Sequence, residues 1–168
     1  YILTEHNTFF ISETRPNKWN PIYWIKKILV SKASALITVS KDLELGMKKF
    51  GFENRHPFRI FNNVDCTLFK YETKTNVKDL QILHVSEFKN AHKNITGILE
   101  GLKLVQLSGL DFHFHLVGYG IDLGLILDQI KTLRLSDKIS FHGKLKGEDL
   151  AKLYQEADVF VLFSNKEN

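Results

Sequence analysis

The chain has 168 residues, of which 43% are hydrophobic and 25% are charged, with a formal net charge of +4. This balance is typical of a folded protein and excludes a disordered chain. The longest apolar runs, such as Val159–Phe163, are far too short for a membrane-spanning helix, which needs about 20 apolar residues. The single cysteine, Cys66, cannot form an internal disulfide, and no cysteine or histidine pair has zinc-site spacing. A reducing, cytoplasmic setting therefore fits the sequence best.

The first part of the chain predicts a small number of strands around one clear helix. A weak strand is predicted at Tyr1–Thr4. Asn20 followed by Pro21 predicts a helix start, because asparagine caps the first N–H groups and proline suits the first helical position. This helix is expected to run to about Lys32. The strands predicted after it are Ala35–Val39 and, more weakly, Arg59–Asn62.

The polar and aperiodic segment Lys70–Lys78 predicts a linker, so residues 1–69 are expected to end one domain and residues 79–168 to begin another. After it, four apolar runs alternate with three amphipathic stretches. The predicted strands are Gln81–Val85, Phe112–Val117, Ile139–His142 and Val159–Phe163. The predicted helices contain the stripe Ile95, Ile98, Leu99, Leu102 and Val105, the segment Ile121–Leu133, and the stripe Leu150, Leu153, Tyr154 and Ala157.

This alternation predicts an α/β fold with doubly wound parallel sheets. In such a sheet the first strand is central, the next two extend it on one side, and the fourth returns to its other side. Gln81–Val85 and Val159–Phe163 are then neighbours, and their carboxyl ends flank the crevice in which ligands bind. The segments Ser86–Asn94 and Ser164–Asn168 are therefore expected to face each other.

These two segments carry complementary chemistry. The first contains Lys89, His92 and Lys93 ahead of a helix start, which suits an anionic group such as a diphosphate. The second contains short polar side chains and the carboxylate of Glu167, which suit hydroxyl groups. A cationic wall opposite a carboxylate fits a phosphate-linked polyol, that is, a nucleotide sugar. The alternative is that both segments are ordinary solvated loops.

Other motifs give weaker signals. Gly118 and Gly120 could let backbone approach a ligand, but a tight turn is the simpler interpretation, because the dinucleotide pattern G-x-G-x-x-G is absent. His113 and His115 share one face of a strand, where packed or hydrogen-bonded histidines are commoner than metal ligands. No Asp-x-Asp or G-x-S-x-G motif occurs. Neither a metal nor a cofactor is expected.

The basic and aromatic stretch Arg15–Lys32 includes Trp19 and Trp24, and no acidic residue lies between Glu13 and Asp42. A helix of this composition could make a peripheral contact with an anionic membrane surface. The alternative is an ordinary surface helix with a charged outer face. Nucleic acid is not expected as a partner, because these basic residues belong to no recognised nucleic-acid motif.

A series of short stretches across nearly the whole chain matches one known family in order and spacing. They are Tyr1–Asn7 (YILTEHN), Ala35–Ser40 (ALITVS), Phe50–Phe52 (FGF), Ile60–Phe69, Ile82–Ser86, Lys93–Asn94, Leu116–Gly120 (LVGYG), Ile139–Gly143 (ISFHG), Asp149–Tyr154 and Ala157–Ser164 (ADVFVLFS). Together they resemble the family-4 retaining glycosyltransferases of the GT-B fold, in which two Rossmann-like domains face each other across a cleft. Residues 1–69 would end the amino-terminal, acceptor-side domain, and residues 79–168 would form a truncated carboxy-terminal domain that binds the nucleotide sugar.

The resemblance implies a reaction and a set of site residues. The reaction is metal-independent transfer of a sugar, with retention, from a nucleoside-diphosphate sugar to a glycan or lipid-linked acceptor, as in polysaccharide biosynthesis at the inner face of a membrane. Lys93 would contact the diphosphate, the backbone of residues 143–145 would face the nucleobase, Glu167 would hold the transferred sugar, and His6 would lie near sugar and acceptor as a second catalytic residue. The implied donor-binding residues are Ser86, Lys89, Lys93, Asn94, Gly118, Gly120, Gly143, Lys144 and Leu145.

Two departures from the family pattern bear on function. Glu87 stands where the family often has an arginine, and its carboxylate would repel a diphosphate unless Lys89 compensates or Glu87 points away. The second glutamate of the family's E-x7-E motif would lie beyond Asn168, and the chain begins at Tyr1 without an initiator methionine. We therefore expect an internal fragment that is inactive alone. Two other functions stay open: a nucleotide-sugar epimerase of the same fold, and a non-catalytic nucleotide- or glycan-binding module.

Overall fold

The computed structural model describes residues 1–6, 10, 17–71 and 79–165. These residues form two compact units, one up to Asn63 and one from Val64 onward. Each unit contains a parallel sheet connected by helices, which confirms the predicted α/β fold class. In the part of the chain that the structure describes, no helix combines the length and apolarity needed to cross a bilayer.

The compact units divide between Asn63 and Val64, and the predicted end of the first domain at residue 69 stays a prediction. Residues 64–69 group with the second unit, because the ring of Phe69 packs edge-to-face on Tyr154 of the last helix, with 5.7 Å between ring centroids. Of the predicted linker Lys70–Lys78, only Lys70 and Tyr71 are among the described residues. The linker therefore stays a prediction.

The first unit is a three-stranded parallel sheet in the order β1–β2–β3. Its core contains the buried side chains Phe10, Tyr23, Val30, Leu36, Leu43, Met47 and Phe52. The strands are β1 (Ile2–Glu5), β2 (Ala35–Thr38) and β3 (Pro57–Arg59), and the connecting helices are α1 (Pro21–Lys32) and α2 (Lys41–Lys49).

The bounds of α1 confirm the predicted capping of its first turn. The Asn20 side chain accepts a hydrogen bond from the Ile22 N–H at 2.9 Å, and Pro21 occupies the first helical position.

The strand predicted at Arg59–Asn62 is wrong, because β3 ends where that run begins. Ile60 adds one backbone bond to Thr38, and the chain then leaves the sheet with its apolar side chains exposed.

The second unit is a four-stranded parallel sheet in the order β6–β5–β4–β7. The first strand after the linker is central, the next two extend it on one side, and the last returns to its other side, as predicted. The strands are β4 (Leu80–Glu87), β5 (Phe112–Tyr119), β6 (Ile139–Gly143) and β7 (Val159–Phe160). The helices are α3 (Asn90–Lys93), α4 (Ile95–Leu107), α5 (Leu123–Thr132) and α6 (Gly147–Glu156), with a short 3-10 turn at Ser136–Lys138.

Both faces of this sheet carry apolar side chains, because alternate residues of a strand point to opposite faces. On one face, Phe112, Phe114 and Leu116 of β5 pack in one cluster with buried residues of α4 and α5. On the other, Leu83 and Val117 pack against Leu153 of α6. The sheet therefore lies between two helical layers, as expected of a doubly wound fold.

The strand predicted at Val159–Phe163 is shorter than expected. β7 pairs with β4 only at Val159 and Phe160, and the Val161 N–H makes one further bond to the Leu83 carbonyl at 2.9 Å. The Val161 carbonyl then lies 2.8 Å from Nδ1 of His84, so a side chain supplies its hydrogen bond. The chain can therefore leave the sheet at this point without leaving that carbonyl unpaired.

On the face of β5 opposite the larger core, His113 and His115 are hydrogen-bonded to residues of the neighbouring strands, and with His142 they form what we call the histidine chain. His115 Nε2 lies 3.0 Å from Oε1 of Gln81, its Nδ1 lies 2.9 Å from Nε2 of His142, and His113 Nε2 lies 2.8 Å from the Ser140 hydroxyl. With Gln81 as acceptor, Nε2 of His115 carries the hydrogen and Nδ1 accepts from His142. The prediction that these histidines are hydrogen-bonded is confirmed, and this arrangement suits neutral rings.

We expect this histidine chain to make the protein less stable in mild acid. Burial lowers the pKa of His115 and of His142, and the neighbouring charge of His113 lowers both further, against the smaller opposing effect of Glu156. The unfolded chain therefore binds more protons than the folded one, and stability is lost as pH falls below about 6.5, the ordinary histidine pKa. Urea unfolding from pH 7.5 to 5.5 should show this loss, and His115→Gln should reduce it. The control His56→Gln, at an exposed histidine, should leave the pH dependence of stability unchanged. An equal pH dependence of the unfolding free energy in the two variants would contradict the assignment of this effect to the histidine chain.

Candidate functional site

The carboxyl ends of β4 and β7 are neighbours, at the position where a doubly wound sheet is expected to have its ligand crevice. We call residues 86–94 the first wall of this crevice and residues 161–165 the second wall. β4 leads into a turn at residues 89–94, and β7 leads into residues 161–165. The Asn165 N–H donates a hydrogen bond to the His92 carbonyl at 2.8 Å, so these two segments touch. The predicted juxtaposition is confirmed for Asn165. Lys166, Glu167 and Asn168 lie outside the described residues.

The first wall contains a short helical turn that polar side chains hold in place. Asn90 uses both ends of its amide: Oδ1 accepts from the Thr96 N–H at 3.0 Å, and Nδ2 donates to the Thr96 hydroxyl at 2.9 Å. The Asn90 N–H donates to the Asp122 carboxylate at 2.7 Å. Asn90 and Asp122 therefore hold the turn that carries Lys89 and Lys93.

Asn94 links this turn to the long helix α4. Its φ of 46° and ψ of 46° are left-handed, a conformation that asparagine adopts more readily than most residues. A Cβ added at Gly97 would lie 2.7 Å from the Asn94 side chain, so that glycine makes room for it. The expected anion site at this helix start cannot use the Thr96 N–H, because that group is bonded to Asn90.

Gly118 and Gly120 are where the end of β4 and the residue after it, Phe88, pass close to the end of β5. A Cβ added at Gly118, which has φ +143°, would lie 1.9 Å from the Ser86 carbonyl oxygen, and one at Gly120 would lie 2.4 Å from the Phe88 carbonyl oxygen. The tight-turn interpretation is therefore wrong for Gly118, which lies within β5. The backbone that approaches both glycines is the protein's own, and this contact places the turn at residues 89–94.

The segment expected to face a nucleobase follows β6. Gly143 ends that strand with φ +66°, opposite Val117, beside an irregularity in the β5–β6 register. The Lys144 ammonium lies 4.4 Å from the ring centroid of Tyr119, a cation–π contact at the end of the neighbouring strand. Leu145 packs with the small cluster on the α6 face. All three residues therefore lie at the carboxyl edge of the sheet.

His84 is a residue of this site that the sequence prediction missed. It lies in the middle of β4, is fully buried, and contacts both walls: Nδ1 is 2.8 Å from the Val161 carbonyl, and Nε2 is 2.7 Å from the Ser86 hydroxyl. Burial lowers the pKa of His84, and the charge of Lys93 lowers it further against the raising effect of the carbonyl. The available signal was a histidine inside an otherwise apolar strand run.

The remaining predicted residues are His6, which belongs to the first unit, and Glu167, which lies outside the described residues. His6 follows β1 in the first unit, where it is exposed and its N–H donates to the Glu5 carboxylate at 3.0 Å. Glu87 and Lys89 are both exposed. Among the described residues, no group of three or more histidine, cysteine, aspartate or glutamate side chains is placed to hold a metal ion.

Sequence comparison relates the chain to known enzymes. Residues 67–168 match the family described as glycosyl transferases group 1. The chain is 24% identical over 140 residues to the N-acetyl-alpha-D-glucosaminyl L-malate synthase of Bacillus anthracis, which covers 83% of this chain and 34% of the relative. The chain thus spans about a third of that relative's length.

Solved structures show the same fold at low sequence identity. The sucrose-phosphate synthase of Thermosynechococcus elongatus superposes with a TM-score of 0.71 at 19% identity, covering 96% of this chain and 43% of that one. A mutant of TarM from S. aureus, solved in complex with Fondaparinux, alpha-GlcNAc-glycerol and UDP, superposes with a TM-score of 0.70 at 20% identity, covering 97% of this chain and 32% of that one. The expected GT-B fold class is confirmed by these superpositions. Because the family match includes more than half of the residues, the chain belongs to the group 1 glycosyl transferases.

Proposed function

We propose that the protein containing this chain transfers a sugar from a nucleoside-diphosphate sugar to a glycan or lipid-linked acceptor, with retention and without a metal ion. The observation that carries this proposal is the contact between the two crevice walls, where Asn165 is hydrogen-bonded to His92 beside Lys93. One wall offers a cation for a diphosphate, and the other offers short polar side chains for hydroxyl groups. Family membership supplies the reaction class.

In this proposal the protein accelerates transfer by positioning the donor and stabilising its leaving group. Cleavage of the bond between the sugar and the diphosphate leaves negative charge on the diphosphate. The Lys93 ammonium and backbone N–H groups near the start of α4 would stabilise that charge. Glu167 would hold the transferred sugar, and the backbone after β6 would face the nucleobase. His6 would act from the acceptor-side domain. The mechanism needs little covalent chemistry from the protein itself.

Calorimetric titration of the intact protein with UDP-, GDP- and ADP-sugars tests this proposal. We try UDP first, because the TarM complex contains UDP. One nucleotide sugar should bind, and product analysis with and without an acceptor should then show transfer only with acceptor. Release of an epimerised donor in the absence of acceptor would show that the protein is an epimerase and not a transferase. Binding without turnover would indicate a binding module, and no binding to any donor would overturn the proposal.

We also propose that α1 makes a peripheral contact with an anionic membrane, at the cytoplasmic face where a lipid-linked acceptor would be found. The helix buries Tyr23 and Val30 but exposes a broad apolar surface on its other side, with no acidic residue along it. The exposed apolar residues are Ile22, Trp24, Ile25, Ile28 and Leu29. Flotation with phosphatidylserine vesicles should recover the intact protein, and Lys26→Glu with Lys27→Glu should reduce recovery. Equal recovery with neutral vesicles would contradict the proposal.

A further inference from the structure

The two hydrogen bonds of His84 define which of its ring nitrogens carries a hydrogen. Nδ1 lies 2.8 Å from the Val161 carbonyl oxygen, and Nε2 lies 2.7 Å from the Ser86 hydroxyl oxygen. A carbonyl oxygen can only accept a hydrogen bond, so Nδ1 must be the donor. In a neutral ring the other nitrogen has no hydrogen, and Nε2 therefore accepts from the Ser86 hydroxyl.

The surroundings of His84 favour this neutral ring. Its side chain is fully buried, so water does not stabilise a positive charge on it. The charged side chain that acts on it electrostatically is Lys93, which opposes a second positive charge. The ring is therefore neutral at neutral pH, and the direction of its hydrogen bond to Ser86 is fixed.

Ser86 then has only one way to bind a ligand. A serine hydroxyl has one hydrogen, and here that hydrogen is donated to His84, which leaves the oxygen lone pairs for other partners. Ser86 is partly exposed at the carboxyl end of β4, beside the turn that carries Lys93. The oxygens of a diphosphate are themselves acceptors, so Ser86 in this state has no hydrogen to offer them. A hydroxyl group of a sugar or ribose can donate to it.

We propose that His84 is a positioning residue that fixes Ser86 as a hydrogen-bond acceptor for a hydroxyl group of the nucleotide sugar. This inference rests on the proposed function and sharpens it, because it separates the hydroxyl-binding group of the first wall from the diphosphate-binding Lys93. It also gives the buried histidine a second task, since the same ring holds the segment after β7 through Val161.

Nitrogen NMR of the intact protein tests the state of the ring without any substitution. With ¹⁵N-labelled histidine, the His84 signals should show a hydrogen on Nδ1 and none on Nε2 at pH 7. Ser86→Ala should perturb the Nε2 resonance selectively and so identify it. A hydrogen on Nε2, or a doubly protonated ring, would overturn the inference whether or not any donor binds.

Calorimetry tests the consequence for binding. Ser86→Ala should weaken the binding of the nucleotide sugar about three- to tenfold, the effect of losing one neutral hydrogen bond, and leave the affinity for inorganic pyrophosphate unchanged. A donor that lacks the hydroxyl group bound by Ser86 should bind the unmodified protein more weakly than the complete donor by the same factor. The Ser86→Ala variant should bind this monodeoxy donor and the complete donor equally well. The matched control is Ser140→Ala, because the Ser140 hydroxyl also bonds a histidine ring, that of His113, at 2.8 Å. It should leave the affinity for every donor unchanged.

A histidine variant completes the test. His84→Asn keeps an N–H group near Nδ1 for the Val161 carbonyl but removes Nε2, so the Ser86 hydrogen becomes available and pyrophosphate should bind more tightly. If this variant does not fold, the NMR and Ser86→Ala measurements still decide. A loss of pyrophosphate affinity in Ser86→Ala equal to the loss for the donor would overturn the inference and leave the proposed function in place. Absence of donor binding to the unmodified protein would instead remove the proposed function.

Discussion

Replacing Gly118 with alanine is expected to lower the free energy of unfolding by about 3–5 kcal/mol. The added methyl group would lie 1.9 Å from the Ser86 carbonyl oxygen and 2.8 Å from the Phe88 ring, and the φ of +143° is unfavourable for any residue with a side chain. The backbone cannot easily move away, because Ser86 and Gly118 are paired in the β4–β5 ladder. Backbone strain and overpacking therefore both contribute to the loss of stability.

Urea unfolding measures this effect, and Gly101→Ala is the matched control. Gly101 lies within α4, where an added methyl group meets nothing within 4 Å. The same substitution there should raise stability by up to about 1 kcal/mol, because alanine favours helix over glycine. A comparable loss in both variants would mean that the close approach of the Ser86 backbone and the Phe88 ring does not constrain position 118.

Replacing Lys93 with alanine should weaken donor binding about 10- to 100-fold and leave folding nearly unchanged. A hydrogen bond to a charged phosphate group contributes about 1.5–3 kcal/mol, and each 1.4 kcal/mol is about a factor of ten in affinity. Lys93 ends the short turn α3, next to Asn94 at the start of α4. Asn90 and Asp122 hold that turn, so its shape should survive the loss of the lysine side chain.

Calorimetric titration with the preferred donor measures this loss, with Lys131→Ala as the control. Lys131 lies in the last turn of α5, where its ammonium is 3.6 Å from the Asp128 carboxylate, and its removal changes the net charge by the same amount. The control should bind the donor normally. Equal weakening in both variants would show that only the overall charge matters, and Lys93→Arg, which keeps that charge, should then bind the donor as the unmodified protein does.

The order of the strands in the second unit could be predicted because it depends on chain-wide patterns. Each apolar run after the linker becomes a strand, and the rule for doubly wound sheets places Val159 beside Ile82, as observed. The same rule brings Asn165 to the turn at residues 89–94. Prediction of this kind works because burying both faces of a parallel sheet leaves few alternative arrangements.

Features that depend on single contacts could not be predicted from the sequence. The early end of β7 follows from a bond between the His84 ring and the Val161 carbonyl, and no pattern in the sequence reveals that bond. The role of Gly118 depends on how closely its ladder partner Ser86 and the Phe88 ring approach it. The use of the Thr96 N–H by Asn90 is likewise a matter of local geometry. The assignments of Glu167, His6 and the nucleobase segment came from the family resemblance and stay predictions.

The hydrogen bonds that join the crevice walls have a consequence for the thermodynamics of ligand binding. Val161 is held by His84 and Asn165 by His92, so the backbone of both walls is ordered before any ligand arrives. Ordering a loop during association would subtract conformational entropy from the affinity. Here that entropy is lost when the chain folds. Binding at this crevice should therefore have a smaller entropic penalty than binding at a site whose loops become ordered only around the ligand.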